Sequence, residues 1–383
     1  MIPYGRQHIA QDDVDAVEAV LRSDFLTQGP AVPAFEKAVA EHVGANYGVA
    51  VNSATSALHV ACLALGLGPG DVLWTVPITF LASANCARYC GADVDFVDID
   101  PVTRNMSVQS LADKLRSAAE TGRLPKIVVP VHFTGLPCDM EAIRALCLRY
   151  GCFVVEDASH AVGARLGDST IGDCAHSDIT VFSFHPVKIV TSAEGGMAMT
   201  NDGELARRMQ LLRSHGMERD PSRFSEAPEG DWIYEMQSLG FNYRLTDMQA
   251  ALGLSQMRRI ETFIEARVAL AARYDELLAD LPVIRPAPLR DKKSSWHLYV
   301  IEIDTPRRTR AEVFAAMRAL GVGVAVHYIP VHLQPYYRAL GFKSGDFPVS
   351  ERYYRRALSL PMFPALSERE LNDVVFAFRQ VLA

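Results

Sequence analysis

Residues 183–196, SFHPVKIVTSAEGG, hold a single lysine, Lys188, with a proline shortly before it and a glycine pair after it. A lysine in an enclosed, charge-poor site can lose basicity and become a nucleophilic amine. Taken alone, the same residue reads rather as a surface lysine that snorkels its amine into water. Two further stretches place polar groups where chemistry is done. In NSATSAL (52–58), Asn52, Ser53, Thr55 and Ser56 follow an apolar run and open a helical pattern. Free N–H groups at a helix start attract a phosphate, but Ser53 or Thr55 could simply cap the helix. In FVVEDA (153–158), Glu156 and Asp157 end an apolar run. A carboxylate there either caps the next helix or points into a site.

The elements that must carry these residues are legible as alternating patterns. Strands are predicted over 49–52, 71–77, 94–99, 126–132, 152–158 and 179–184. Helical periodicity lies between them, with Asp139 as an N-cap and Gly151 as a C′ residue of one helix. Continuous apolar strands separated by helices predict an α/β fold with a buried, mostly parallel sheet. In such sheets ligands bind beyond the carboxyl ends of the strands, where Ser56, Asp157, Ser183 and Lys188 all fall. After about residue 245 the pattern changes. A long helix is expected from Asp247, followed by a strand over 296–304, a helix, a short strand VAVHY and a last helix from about Ser367. This divides the chain into a large domain, 1–246, and a smaller α+β domain, 247–383.

Composition narrows the class of function. Of the 383 residues, 49% are hydrophobic and 22% charged, ordinary proportions for a globular chain, and the length suits two domains. A net charge of −7 without basic blocks argues against nucleic acid or an anionic membrane as partner. No apolar run reaches the ~18 residues of a membrane span, and the start MIPYGRQHIAQDD lacks a signal-peptide pattern, so a cytoplasmic enzyme is expected. The seven cysteines show neither zinc spacing nor a disulfide framework. No metal is expected.

Taken together, a phosphate cradle, a carboxylate and a lone lysine on three strand ends meet the needs of pyridoxal 5′-phosphate. That cofactor requires a lysine for its Schiff base, an anion site for its phosphate and a carboxylate that keeps its pyridine nitrogen protonated.

VVEDASHAVGA, FSFHPVK…AEGG and FNYRLTDMQAALGLSQ resemble the DegT/DnrJ/StrS sugar aminotransferases, fold-type-I pyridoxal phosphate enzymes, and the resemblance runs from PYGRQHI to LSLPMFPALSE. It implies that Lys188 carries the cofactor and Asp157 pairs with its ring nitrogen. His160 would lie beside the ring, Phe80 would stack on it, and Thr55, Ser56 and Ser183 would hold the phosphate. Asn242 would reach the phosphate of the other subunit, which implies a homodimer with shared sites. Tyr4, Thr27, Gln28 and Gly29 would contact the sugar nucleotide, with His327 and Tyr328 as a further wall.

Within the family, NSATSAL, PVHFTGLPCDM and VHYIPVHLQPYYR resemble the pseudaminic acid branch. That implies transfer of an amino group from glutamate to C4 of a UDP-linked 4-keto-6-deoxy-N-acetyl hexose. Val51 stands where that branch tends to have an aromatic. Related enzymes for other dTDP- or GDP-linked 4-keto or 3-keto sugars share the framework, as does a cofactor-binding regulator without turnover. Related dehydratases have histidine in place of the lysine, so Lys188 speaks against that class. His185 reads as packing or catalysis, and His332 as structural.

Overall fold

The computed structural model describes residues 1–287 and 291–382. Its central sheet contains β1 (Tyr47–Val51), β2 (Val72–Thr75), β3 (Asp93–Phe96), β4 (Ile127–Val128), β5 (Phe153–Asp157), β6 (Ile179–Ser183) and β7 (Gly196–Thr200). The spatial order is β1-β7-β6-β5-β4-β2-β3. Only β7 runs against its neighbours, pairing antiparallel with β1 and β6. The other pairs are parallel. The fold class expected from the sequence is therefore the one observed. β7, GMAMT, is as long as β1, β5 and β6 but has a single β-branched residue, so the pattern predicts no strand there.

Period-2 alternation sends neighbouring side chains to opposite faces. Val49, Val51, Ile179, Val181 and Ala198 pack with Leu58 and Ala61 of helix α1 (Ala54–Ala64). Ala50, Phe182, Met197 and Met199 pack on the other face with Phe35, Val39 and Met257. Burial on both faces explains why these strands read as continuous apolar runs.

Several boundaries differ from expectation for identifiable reasons. The strand expected over 126–132 is regular only at Ile127–Val128, because Pro130 has no N–H to give to a ladder. Its continuation is a single bridge between Val131 and Asp157. The long helix expected from Asp247 is two helices, α2 (Asp247–Met257) and α3 (Ile260–Leu277). The break falls at Arg259 (φ −115°, ψ 10°), where Gln256 and Arg259 both turn onto the buried carboxylate of Asp13. The expected caps hold: Asp139 accepts from the Ala142 N–H, and Gly151 closes its helix at φ 71°.

Beyond α3, an antiparallel sheet of β8 (Val283–Ile284), β9 (Tyr299–Ile303) and β10 (Ala357–Leu360) packs under helices Arg310–Ala319 and Glu368–Leu382. The expected strand VAVHY is not formed. One bridge, Ala325 to Ser359, is all that remains of it. The chain instead turns His327 and Tyr328 toward the central sheet. The N-terminus joins this region through a bridge between Ile2 and Val322.

Candidate active site

The carboxyl ends of β1, β5 and β6 open into a cavity of about 780 Å³. Of the residues singled out from the sequence, Tyr4, Thr55, Ser56, Phe80, Asp157, His160, Ser183, Lys188, His327 and Tyr328 line it together. Thr27, Gln28, Gly29 and Asn242 do not line it within the single chain. The backbone N–H groups of Gly29 and Ala31 donate to Asp247 at 2.9 Å each, pinning that segment to the start of α2. A side chain at Gly29 would meet the Phe25 Cβ at 2.4 Å, so the approach requires glycine. Asn242 is exposed on a strand-like bridge to Ser214.

The cradle at the start of α1 follows from its capping. The Ser53 hydroxyl accepts from the Ser56 N–H at 3.2 Å, and the Ser56 hydroxyl donates to Asn52 Oδ1 at 2.7 Å. The N–H groups of Ala54 and Thr55 have no intrahelical acceptor in this first turn and are open to an anion. β7 passes directly beneath. A Cβ at Gly196 would lie 2.4 Å from the Ser53 carbonyl carbon, so only glycine lets strand and cradle meet. Ser53 both caps the helix and helps build the site, so the two readings are compatible.

Asp157 is buried and held at both oxygens. The Ser159 N–H donates to Oδ1 at 3.1 Å and the Ser83 hydroxyl to Oδ2 at 2.5 Å. Its neighbour Glu156 points to the other face of β5, where it accepts from Thr180 at 2.9 Å and lies 2.6 Å from His132 Nε2. The Cys138 N–H donates to His132 Nδ1 at 2.9 Å, which leaves the ring proton on Nε2, facing Glu156. Of the paired acidic residues, then, Asp157 faces the cavity and Glu156 is a buried brace.

Lys188 is half-buried and is the only lysine or arginine among the described residues lining the cavity. Burial lowers its amine to about 8, against the opposing pull of Asp157. The imidazoles around it are held neutral. Burial, then the nearness of Lys188, lowers His327 to about 3. Burial takes His160 and His297 well below the ordinary histidine range. His160 Nε2 lies 3.1 Å from the Tyr328 hydroxyl, and His327 Nδ1 lies 2.7 Å from Ser359 Oγ. Phe80 stands at the rim, 59% exposed, its ring 6.3 Å from that of Tyr328. His185 is on the wall, its Nδ1 accepting weakly from the Val187 N–H at 3.4 Å in the turn before Lys188. His332 lies away from the cavity, buried against Glu351.

Sequence reasoning missed Ser83, Thr79, Ser159, Gln249 and His297. The His297 ring sits 4.4 Å from that of His160. A histidine opening the strand WHLYV was the available signal. For Ser83 the signal was the hydroxyls flanking Phe80 in PITFLAS.

This sheet order and strand-end cavity define a fold-type-I α/β transferase. Over residues 7–379 the chain matches the DegT/DnrJ/EryC1/StrS aminotransferase family, and it belongs to that family. It is 41% identical over 387 residues to the spore coat polysaccharide biosynthesis protein SpsC of Bacillus subtilis, covering 100% of this chain and 97% of that one. Among solved structures it is similar to Helicobacter pylori PseC, an aminotransferase involved in the biosynthesis of pseudaminic acid. The TM-score is 0.90 at 30% identity, covering 100% of this chain and 99% of that one. It is also similar to the pyridoxamine phosphate form of a putative sugar aminotransferase, Spr1654, from Streptococcus pneumoniae, with TM-score 0.91 and 27% identity, covering 100% and 99% of the two chains.

The protein is thus a pyridoxal phosphate-dependent sugar aminotransferase, and its cavity suits that cofactor. The open N–H groups at the start of α1 would take the phosphate, with the Ser56 and Ser183 hydroxyls beside them. Asp157 would face a ring nitrogen, and Lys188, the one amine among the described residues lining the cavity, would form the covalent link. His160 Nδ1 and His297 Nδ1 are buried without a partner among the described residues, which leaves polar capacity for a bound group. When bound, the cofactor supplies an electron sink for the bond broken at the donor's Cα. The amine of Lys188, partly neutral near neutral pH, can accept and return a proton beside it.

Proposed function

We propose that this enzyme transfers the amino group of glutamate to C4 of a UDP-linked 4-keto-6-deoxy-N-acetyl hexose of the pseudaminic type. The observation that carries this reading is the similarity to H. pylori PseC over the whole of both chains, with the cavity walled by Tyr4, His327 and Tyr328. In this reading Lys188 bears the cofactor and moves the proton, Asp157 keeps the ring nitrogen charged, and His160 lies beside the ring. Thr55, Ser56 and Ser183 hold the phosphate, Phe80 covers the ring, and residues 247–383 form the smaller domain.

The working unit is a homodimer. Thr27, Gln28, Gly29 and Asn242 stand outside the cavity of their own chain and would serve the partner's. An exposed apolar set, Phe25, Leu26, Trp232, Tyr234, Met236 and Leu239, supports a covered face. All seven cysteines are buried free thiols, which supports a reducing compartment such as the cytoplasm.

A second reading has its own support. The higher identity to the B. subtilis spore coat protein favours another nucleotide-linked keto sugar destined for a polysaccharide. The pyridoxamine form of the enzyme, mixed with a panel of UDP-, dTDP- and GDP-linked keto sugars, separates the two. Fastest return of the aldehyde absorbance with the UDP-acetamido 4-keto sugar supports the first reading. Fastest return with a sugar lacking the acetamido group overturns it.

A further inference from the structure

Beside Asp157 lies a buried file of hydroxyls, with Thr79 at the cavity wall and Ser83 behind it. Ser83, in the first turn of the helix Ala82–Tyr89, is fully buried, and its Oγ lies 2.5 Å from Asp157 Oδ2. An ionised carboxylate can only accept, so Ser83 is the donor. Its oxygen then has lone pairs free, and the Thr79 hydroxyl, 2.7 Å away and 2% exposed, donates to it. Ser83 also lies 3.3 Å from the Phe80 carbonyl, a longer contact that competes weakly for its proton. The file runs Thr79 to Ser83 to Asp157, every dipole aimed at the carboxylate, and aligned hydrogen bonds strengthen one another in a dry interior.

We propose that Ser83, backed by Thr79, is a positioning residue for Asp157: it fixes the plane of the carboxylate and aims its free lone pairs at the cavity. This rests on the reading of Asp157 as the partner of the cofactor's ring nitrogen. With Oδ2 tied to Ser83 and Oδ1 to the Ser159 N–H, the carboxylate cannot rotate away from the cavity. Its remaining lone pairs are directed there. Without Ser83, the ring nitrogen would lose part of its positive charge, and the proton affinity of the cofactor's other titrating nitrogen would rise.

The test uses the cofactor-loaded enzyme and its Ser83→Ala, Ser83→Thr, Thr79→Val and Asp157→Asn variants. Two quantities are read: the pH midpoint of the bound cofactor's absorption change, and the single-turnover rate with glutamate. For Ser83→Ala we expect a midpoint displaced upward and a rate roughly tenfold lower, with little change in the glutamate KM. Ser83→Thr should restore both, and Thr79→Val should shift both in the same direction by less. If Ser83→Ala fails to fold, Thr79→Val carries the test. An unmoved midpoint in these variants, or a rate loss that threonine does not restore, overturns the proposal. If Asp157→Asn itself leaves midpoint and rate unchanged, it is the reading of Asp157 that fails.

Discussion

His160 and Tyr328, 168 positions apart, meet with Nε2 and Oη 3.1 Å apart, joining the turn after β5 to the C-terminal segment across the cavity. His160 Nδ1 has no partner among the described residues, so this contact is the ring's one side-chain hydrogen bond there. The Tyr328 hydroxyl is held protonated by burial and then by the nearby negative charge of Asp157. Tyr328→Phe should therefore leave both nitrogens of a buried ring unsatisfied. A loss of about 1 kcal/mol of unfolding free energy is expected in urea denaturation, together with slower turnover.

Lys188 should be the site of cofactor attachment. Borohydride reduction followed by peptide mapping should find the pyridoxyl adduct on the peptide containing Lys188. An adduct on Lys126, which is instead paired with Asp71 at 2.9 Å, would refute the assignment.

The rate at which the apoenzyme recaptures pyridoxal phosphate should rise with pH and level off above about 8, as the Lys188 amine loses its proton. Burial depresses that value and Asp157 opposes the depression, so Asp157→Asn should move the break to lower pH. Stopped-flow absorbance over pH 6–9.5, about two units below the break and about one and a half above it, reads both curves.

The same depressed amine weakens the apoprotein. Below about pH 8 the lysine is charged in both folded and unfolded chains, so the folded state bears the full desolvation penalty. As pH rises toward the unfolded value near 10.5, the penalty disappears. Lys188→Met should accordingly stabilise the apoprotein by about 1–3 kcal/mol at neutral pH, with the gain fading as pH rises through that window. Thermal unfolding of both apo forms across that range checks the sign.

Mixing inactive Lys188→Ala and Asn242→Ala chains should restore part of the activity. In hybrid dimers one site combines both defects and the other has neither. Absence of any recovery after demonstrated subunit exchange would mean that each site is built from one chain.

Local chemistry determined much of this protein. Apolar runs placed β1, β5 and β6, because a strand buried on both faces must be apolar along its length. Asp139 and Gly151 end their helix through bonds to residues a few positions away. The rule that sites lie at strand ends brings Ser56, Asp157, Ser183 and Lys188 into one group from the sequence alone. What lay beyond the sequence depends on contacts with no local signature. Ser83 meets Asp157 across 74 positions, and His297 comes to His160 from the segment before β9. β7 runs antiparallel between β1 and β6, and helix α2 ends where Gln256 and Arg259 reach Asp13 from the far end of the chain. Propensity and capping act over one turn of chain, so a sequence displays them. The aim of a carboxylate and the basicity of an amine depend on which distant groups packing brings to within a few ångströms, and that only the tertiary structure decides.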